Sequence, residues 1–270
     1  MELVSTSKLK RAQDRVVAAR PYATALAAVI ADLYSPELAE RFALLRQPGA
    51  AGSRRIALVL ITSNRGLCGA FNANLIREGR RRMQELQRSG GTVDLHLIGK
   101  KGIGFFKFAR QPIASQRVDI GDRPTAAQAA DVVAPLMAAF EARRLDAVEV
   151  VCAKFNSALS TPPTVLQILP VAAPQGAAAG RAGAANYILR PSADLILERL
   201  LPLYVENQMF RALVETAAAE HGARRTAMKN ATDNAGDLLE GLRRTYNRAR
   251  QAQITQEIAE IVGGAEALQG

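Results

Sequence analysis

The chain has 270 residues, 49% of them hydrophobic, with a formal net charge of +10. That length and apolar content can bury one large core or two, and they exclude a disordered chain. The charge favours anionic partners such as nucleic acid, an acidic protein or a lipid surface, and does not choose among them. Cys68 and Cys152 are too few for a disulfide framework and lack metal-ligand spacing, so a reduced compartment is expected. Uninterrupted apolar runs such as Ala25 to Ala31 and Ile56 to Ile61 fall far short of the ~20 residues a spanning helix needs. The polar start MELVSTSKLKRAQ lacks the apolar stretch of a signal peptide, so the protein is expected to stay in the compartment where it is made.

Near the start, Leu9, Ala12, Val16, Ala19, Ala23, Leu26, Ile30 and Leu33 alternate spacings of three and four, the seam of an amphipathic helix. Pro21 interrupts it and should kink the helix or cost a hydrogen bond, and Ser35-Pro36 closes the segment. Elements then alternate. RRIALVLIT (54–62) reads as a buried strand, NANLIREGRRRMQELQRSG (72–90) as a helix, and TVDLHLIG (92–99) as a second strand. A helix near 100–109, a short extended piece at 113–119 and a helix over TAAQAADVVAPLMAAFEARR (125–144) follow. DAVEVVCAKF (146–155) and PTVLQILPV (163–171) complete the pattern as strands. Such alternation implies an α/β sheet covered on both faces. From 172 to 185 Gly, Ala and Pro indicate a surface linker or a disordered, flexible loop.

From Ser192 to Leu268 helix formers dominate, and only Pro202 punctuates them. A continuous helix there would run about 115 Å at ~1.5 Å per residue, more than a core of this size encloses. Ala235, Leu239, Leu242, Tyr246 and Ala249 keep one heptad register; Ile254, Ile258, Ile261, Ala265 and Leu268 keep another, offset by one residue. Seams at both ends satisfy each other most simply by pairing. The expected fold class is α/β, an antiparallel two-helix coiled coil from both termini plus a central α/β domain. The expected domains are 1–47, 48–190 and 191–270.

SNRGLCGAFNANL (63–75) directly follows the first strand and raises the question of a nucleotide loop. It holds only Gly66 and Gly69 where a dinucleotide fingerprint needs three glycines, and Ala70-Phe71 where a phosphate loop needs Lys followed by Ser or Thr. The glycines shape a strand-to-helix turn, with Asn72 or Asn74 available as a cap and Arg65 either a surface contact or part of a fold-stabilising pair. His96 and His221 have no metal-ligand companions and read as packed or solvated residues. Glu257 and Glu260 flank a seam and form no catalytic dyad. The basic clusters REGRRRM and GLRRTYNRARQ lack interleaved stacking aromatics, which favours a solvated face or an acidic protein partner over nucleic acid.

SNRGLCGAFNANL, FNSALSTPPTVLQILPV, PLYVENQMFRALVETAAAEHGARRTAMKNATDNA and YNRARQAQITQEIAEIVGGAEAL closely resemble the gamma subunit of bacterial F-type ATP synthases, the central stalk of a rotary motor. MELVSTSKLKRAQ is similar to an internal stretch of that family's first helix. The matches follow in order over nearly the whole chain and are weakest at 36–53 and 100–135. The resemblance implies a Rossmann-like central domain, no cofactor, and catalytic residues that belong to the beta subunits. It implies partners in the alpha and beta subunits, the epsilon subunit and the membrane ring of c subunits, without nucleic acid or direct membrane insertion. The implied place is the cytoplasmic side of the bacterial inner membrane, held peripherally.

Carried over position by position, Arg250, Gln251 and Thr255 match contacts of the beta-subunit levers, Arg224 lies near a second collar, and Met1 matches a shaft methionine facing the levers. Tyr187 and Arg190 match the foot that meets the ring. An ordinary solvated or packed position remains the alternative for the lever residues. Arg190 stands where the family commonly has an acid before Pro191, and Gly222 where it usually has alanine, at a cost of about 1 kcal/mol. The regulatory cysteine insertion of chloroplast relatives is missing. Several helical turns precede the Met1 position in the family, so either the start lies upstream or the first helix is short; the stripe from Ile258 to Leu268 would then lack its partner helix. A basic coiled-coil adaptor for nucleic acid or anionic membrane remains the alternative function.

Overall fold

Residues 1–33, 41–47, 54–157, 160–171 and 193–267 are described in a computed structural model of the chain. The apolar run after Arg54 forms β1, Arg55–Ile61, and every residue of it beyond Arg55 is buried, as suits the middle of a parallel sheet. Around it the chain builds α2 (Phe71–Arg88), β2 (Thr92–Ile98), α3 (Lys100–Phe108), β3 (Ser115–Arg117), α4 (Ala126–Glu141), β4 (Ala147–Ala153) and β5 (Pro163–Leu169). Helix α1 (Glu2–Leu33) precedes this domain and α5 (Ala193–Ala267) follows it. The strands lie in the order β3-β2-β1-β4-β5. All pairings are parallel except β4 with β5.

One face of the sheet, with Ala57, Val59, Ile61, Val148 and Val150, packs with Val133, Leu136 and Phe140 of α4. The other, with Leu58, Leu60, Leu95 and Leu97, packs with Phe71, Leu75 and Met83 of α2 and Phe106 of α3. Helix α4 starts on a capping box: Gln128 N donates to Thr125 Oγ1 at 3.2 Å and Thr125 N to Gln128 Oε1 at 3.1 Å. The expected cap of α2 is different. Its N-cap is Ala70, without a side-chain bond, because Asn72 lies inside the first turn and Asn74 is exposed. Asn72 Oδ1 instead reaches back to accept from Ser63 N at 3.0 Å, tying the helix to the end of the strand.

The α1 stripe is buried at Leu9, Ala12, Val16, Ala23, Leu26 and Ile30, and half-buried at Ala19 and Leu33. Pro21 sits on the exposed side of an uninterrupted helix, where Val17, one turn earlier, faces solvent. The pairing with α5 is antiparallel. Leu26 and Ile30 join Leu197, Leu201, Val205 and Met209 in one apolar cluster, whereas Leu9, Ala12 and Val16 join Val214, Ala218 and Ala219 in another. The stretch of α5 that serves α1 is therefore 197–219, earlier than the heptads at 235–249. The α1 stripe meets both α5 and the sheet layers, so its apolar surface is already spent there.

The chain divides into two compact units, Met1–Thr226 and Ala227–Gly270. Within the second, every described side chain from Lys229 to Ala265 is exposed, including Leu239, Leu242, Tyr246, Ile258 and Ile261. Exposure thus begins at Lys229 and is not confined to the stripe from Ile258 onward. This segment is supported by local bonds one turn apart: Arg244 with Glu240, Gln253 Nε2 to Glu257 Oε1 at 3.2 Å, and Gln256 Nε2 to Glu260 Oε1 at 2.9 Å. The linker expected at 172–185 and the Ser35-Pro36 stop lie outside the described residues.

Candidate functional site

The loop after β1 sits at the carboxyl ends of the parallel strands, where sheets of this order bind nucleotides. A phosphate there would need free amides at a helix start. In α3 those amides are already taken: Lys100 N donates to Asn64 Oδ1 at 3.0 Å, Lys101 N to Ser63 O at 3.2 Å, and Gly102 N to Thr62 Oγ1 at 2.9 Å. Gly99 (φ 98°) lies so close to β1 that a Cβ on it would stand 2.1 Å from Thr62 O. Gly69 (φ 58°) turns the loop as expected of it, but the other left-handed residue is Leu67 (φ 62°), not Gly66.

The chain's own α5 meets this loop. Arg224, 8% exposed, donates from Nε to Gly66 O at 3.2 Å and from an Nη to Glu220 Oε1 at 2.5 Å, and it touches His221. Burial pushes the Glu220 carboxyl above its usual range against the pull of Arg224. Burial likewise brings the His221 ring down to about 4, keeping it neutral near pH 7. Burial would raise Asp122, yet the 2.5 Å bond from Lys8 and the neighbouring cations hold it low. An open cavity of about 1010 Å³ adjoins these groups, lined by Lys8, Arg11, Arg15, Arg65, Lys100 and Arg123 among others.

Of the basic clusters, REGRRRM is partly neutralised within the chain, because Arg81 pairs with Glu78 and Glu85, and Arg82 with Glu149. His96 is half-buried with Nδ1 2.7 Å from Ser115 Oγ. Arg65 is exposed at the cavity rim and, among the described residues, pairs with no carboxylate in an ion pair. Met1, Arg250, Gln251 and Thr255 are exposed, whereas Arg224 is packed among intrachain partners. Met1 and Arg224 belong to the first unit and the other three to the second. Tyr187 and Arg190 lie outside the described residues. Gly222 is helical and buried. Among the described residues no cluster of His, Cys, Asp and Glu could hold a metal ion, and no helix is long and apolar enough to cross a membrane.

Sequence reasoning missed Glu215 and Thr216, which are buried on α5 and bond to the end of β4. The one available signal was a pair of polar residues breaking into an apolar helical face.

A family model described as ATP synthase matches residues 1–268. The ATP synthase gamma chain of Gemmatimonas aurantiaca is 62% identical over 270 residues, covering 100% of this chain and 92% of the relative. That of Leptospira biflexa is 40% identical over 268 residues, covering 99% and 92%. Among solved structures, the central stalk and ring of the Tetrahymena thermophila mitochondrial ATP synthase matches with a TM-score of 0.64 and 22% identity, over 86% of this chain and 97% of that one. A chain of the Euglena gracilis mitochondrial enzyme matches with a TM-score of 0.58 and 18% identity, over 99% and 94%. These two share the fold. The reported relatives lend no support to a basic adaptor, and the chain belongs to the ATP synthase gamma chain family.

Proposed function

We propose that this chain is the central-stalk rotor of a proton-translocating ATP synthase, turning rotation of a membrane ring into conformational change at the catalytic sites. The observation that carries this is similarity along the whole chain to gamma chains, at 62% identity to one of them. The architecture supports it, since helices from both ends of the sequence are paired antiparallel and share apolar clusters with an α/β domain. A rotor acts by presenting different surfaces in turn to several copies of one site, which shifts each copy among states of different nucleotide affinity.

In this reading the chain is non-catalytic, and the catalytic residues belong to the beta subunits. Met1, Arg250, Gln251 and Thr255 meet the beta-subunit levers; their exposure leaves them free to do so. Arg224 lies near a second collar, its guanidinium packed against Glu220 and Gly66 O. Tyr187 and Arg190 rest on the c ring beside the epsilon subunit. The segments 1–47, 48–190 and 191–270 serve as first helix, foot and shaft, placed peripherally on the cytoplasmic side of the bacterial inner membrane.

Reconstitution with alpha and beta subunits tests this reading. ATP-driven rotation of a probe fixed to the α/β domain is expected, and ATP hydrolysis by the assembled complex without rotation overturns it. Replacing Arg250 and Gln251 with alanine should lower ATP synthesis per assembled complex while helical content stays unchanged. Calorimetry of the isolated chain with Mg-ATP should give no binding heat; micromolar affinity would contradict the non-catalytic assignment.

A further inference from the structure

Strand β4 outlasts its neighbour. The last pairing on the β1 side is Leu60 with Val151, while on the β5 side the ladder runs to Ala153 with Pro163 and is extended by Lys154 N to Pro162 O at 3.0 Å. Successive amides of an extended chain face opposite neighbours. With Lys154 turned to β5, the amides of Ala153 and Phe155 face the place where β1 has ended. Buried there without partners they would cost stability.

Helix α5 supplies what β1 does not. Ala153 N donates to Thr216 Oγ1 at 3.2 Å, and Phe155 N to Glu215 Oε2 at 3.4 Å. All four residues are buried. Both acceptors are themselves oriented: the Thr216 hydroxyl donates to Ala212 O at 2.7 Å, and Arg211 Nε holds Glu215 Oε1 at 2.8 Å. Two turns further along, Arg224 grips Gly66 O in the loop after β1. The contacts stand at the switch point between β1 and β4, the crevice that open α/β sheets use for ligands. Here side chains of the long helix fill it.

The apolar contacts of α5 resist separation from the sheet, but hydrophobic burial is non-directional and sets the angle of a helix about its own axis less sharply than a directed bond does. A hydrogen bond to a backbone amide weakens steeply when misaligned. We propose that Glu215 and Thr216, backed by Arg224, are positioning residues that lock the rotation angle of α5 against the α/β domain, so that torque on the domain turns the helix without slip. The proposal rests on the rotor reading.

The test uses the complete enzyme with a probe on the α/β domain, reading torsional stiffness and ATP made per assembled complex at a fixed driving force. The variants are T216V, which keeps shape and loses the acceptor, T216S, which keeps the hydroxyl, and the double variant E215A/T216V. We expect the double variant to lose stiffness and synthesis several-fold, T216V to lose part of both, and T216S to match the wild type. Exchange of the Ala153 and Phe155 amides should quicken about threefold to tenfold in the double variant, as for a lost hydrogen bond. Should the double variant fail to assemble, T216V against T216S decides the matter, because a role in packing alone would leave T216V the closer to wild type. Unchanged stiffness in T216V and in any double variant that assembles overturns the clamp. A wild-type complex that hydrolyses ATP without turning overturns the rotor reading and the clamp with it.

Discussion

Arg82 on α2 holds Glu149, in the middle of β4, through two parallel hydrogen bonds of 2.7 and 2.6 Å. Glu149 is 5% exposed, so the guanidinium is what makes a carboxylate tolerable against that face of the sheet. Arg82→Ala should therefore destabilise the chain by about 3 kcal/mol, leaving a buried charge without its partner. The double replacement Arg82→Leu with Glu149→Leu should recover most of that loss. Urea unfolding of the three proteins measures both, and a single variant costing as little as a surface pair would show that Glu149 finds water instead.

Gly99 and Leu67 both have positive φ, yet their replacements should differ widely in cost. Gly99→Ala drives a Cβ into Thr62 O, a backbone atom that cannot swing aside, and should cost more than about 3 kcal/mol. Leu67→Gly removes left-handed strain from an exposed side chain and should change stability by less than about 1 kcal/mol in either direction. Thermal melting of the two variants tests the contrast.

Burial pushes the Cys152 thiol up to about 12, with Glu215 reinforcing and Arg211 opposing, and it raises Cys68 as well. At pH 8 neither should react with a thiol reagent in the native chain, and both should react once urea unfolds it. Rapid labelling of Cys68 in the native state would show that the loop after β1 opens.

The buried His221 makes stability pH-dependent. Its ring titrates at about 4 in the native chain against 6.5 for an unperturbed histidine. Burial is the largest cause; the Asp122 carboxylate opposes it, and Arg224, Lys8 and Arg65 add to it. Between those two values the unfolded chain binds a proton that the folded chain refuses, so stability falls as pH drops from 6.5 to 4. The loss from this group should be about 2 kcal/mol once solvent screening is counted. His221→Gln should flatten that limb of the pH profile in urea titrations, and an unchanged slope would assign it to the carboxylates instead.

The sheet and its helices were legible because short apolar runs alternate with stripes of spacing three and four along the chain, and the structure ends each of those elements within a few residues of the breaks in pattern. The α1 stripe was equally plain. Its partner was not, since a stripe states that it will be covered without saying by what; the heptads at 235–249 and the segment 197–219 offered similar apolar spacing. Arg224 stood out in the sequence, but its bond to Gly66 spans 158 positions and left no local trace. Asn72 read as a cap because a difference of two residues in where α2 begins decides whether its side chain reaches forward to the helix or back to Ser63. Glu215 and Thr216 satisfy amides exposed only because β1 stops short, and a strand's length relative to its neighbour is a property of pairing.

That shortfall of β1 also bears on the order of events during synthesis. The amides of Ala153 and Phe155 stay without their native acceptors until residues 215 and 216 have been made. The α1 stripe likewise waits for 197–219. Contacts between segments so far apart in sequence slow folding and prolong exposure of apolar surface. The nascent chain therefore carries unpaired amides at the end of β4 and an uncovered α1 until α5 has been made, and it closes its core only then.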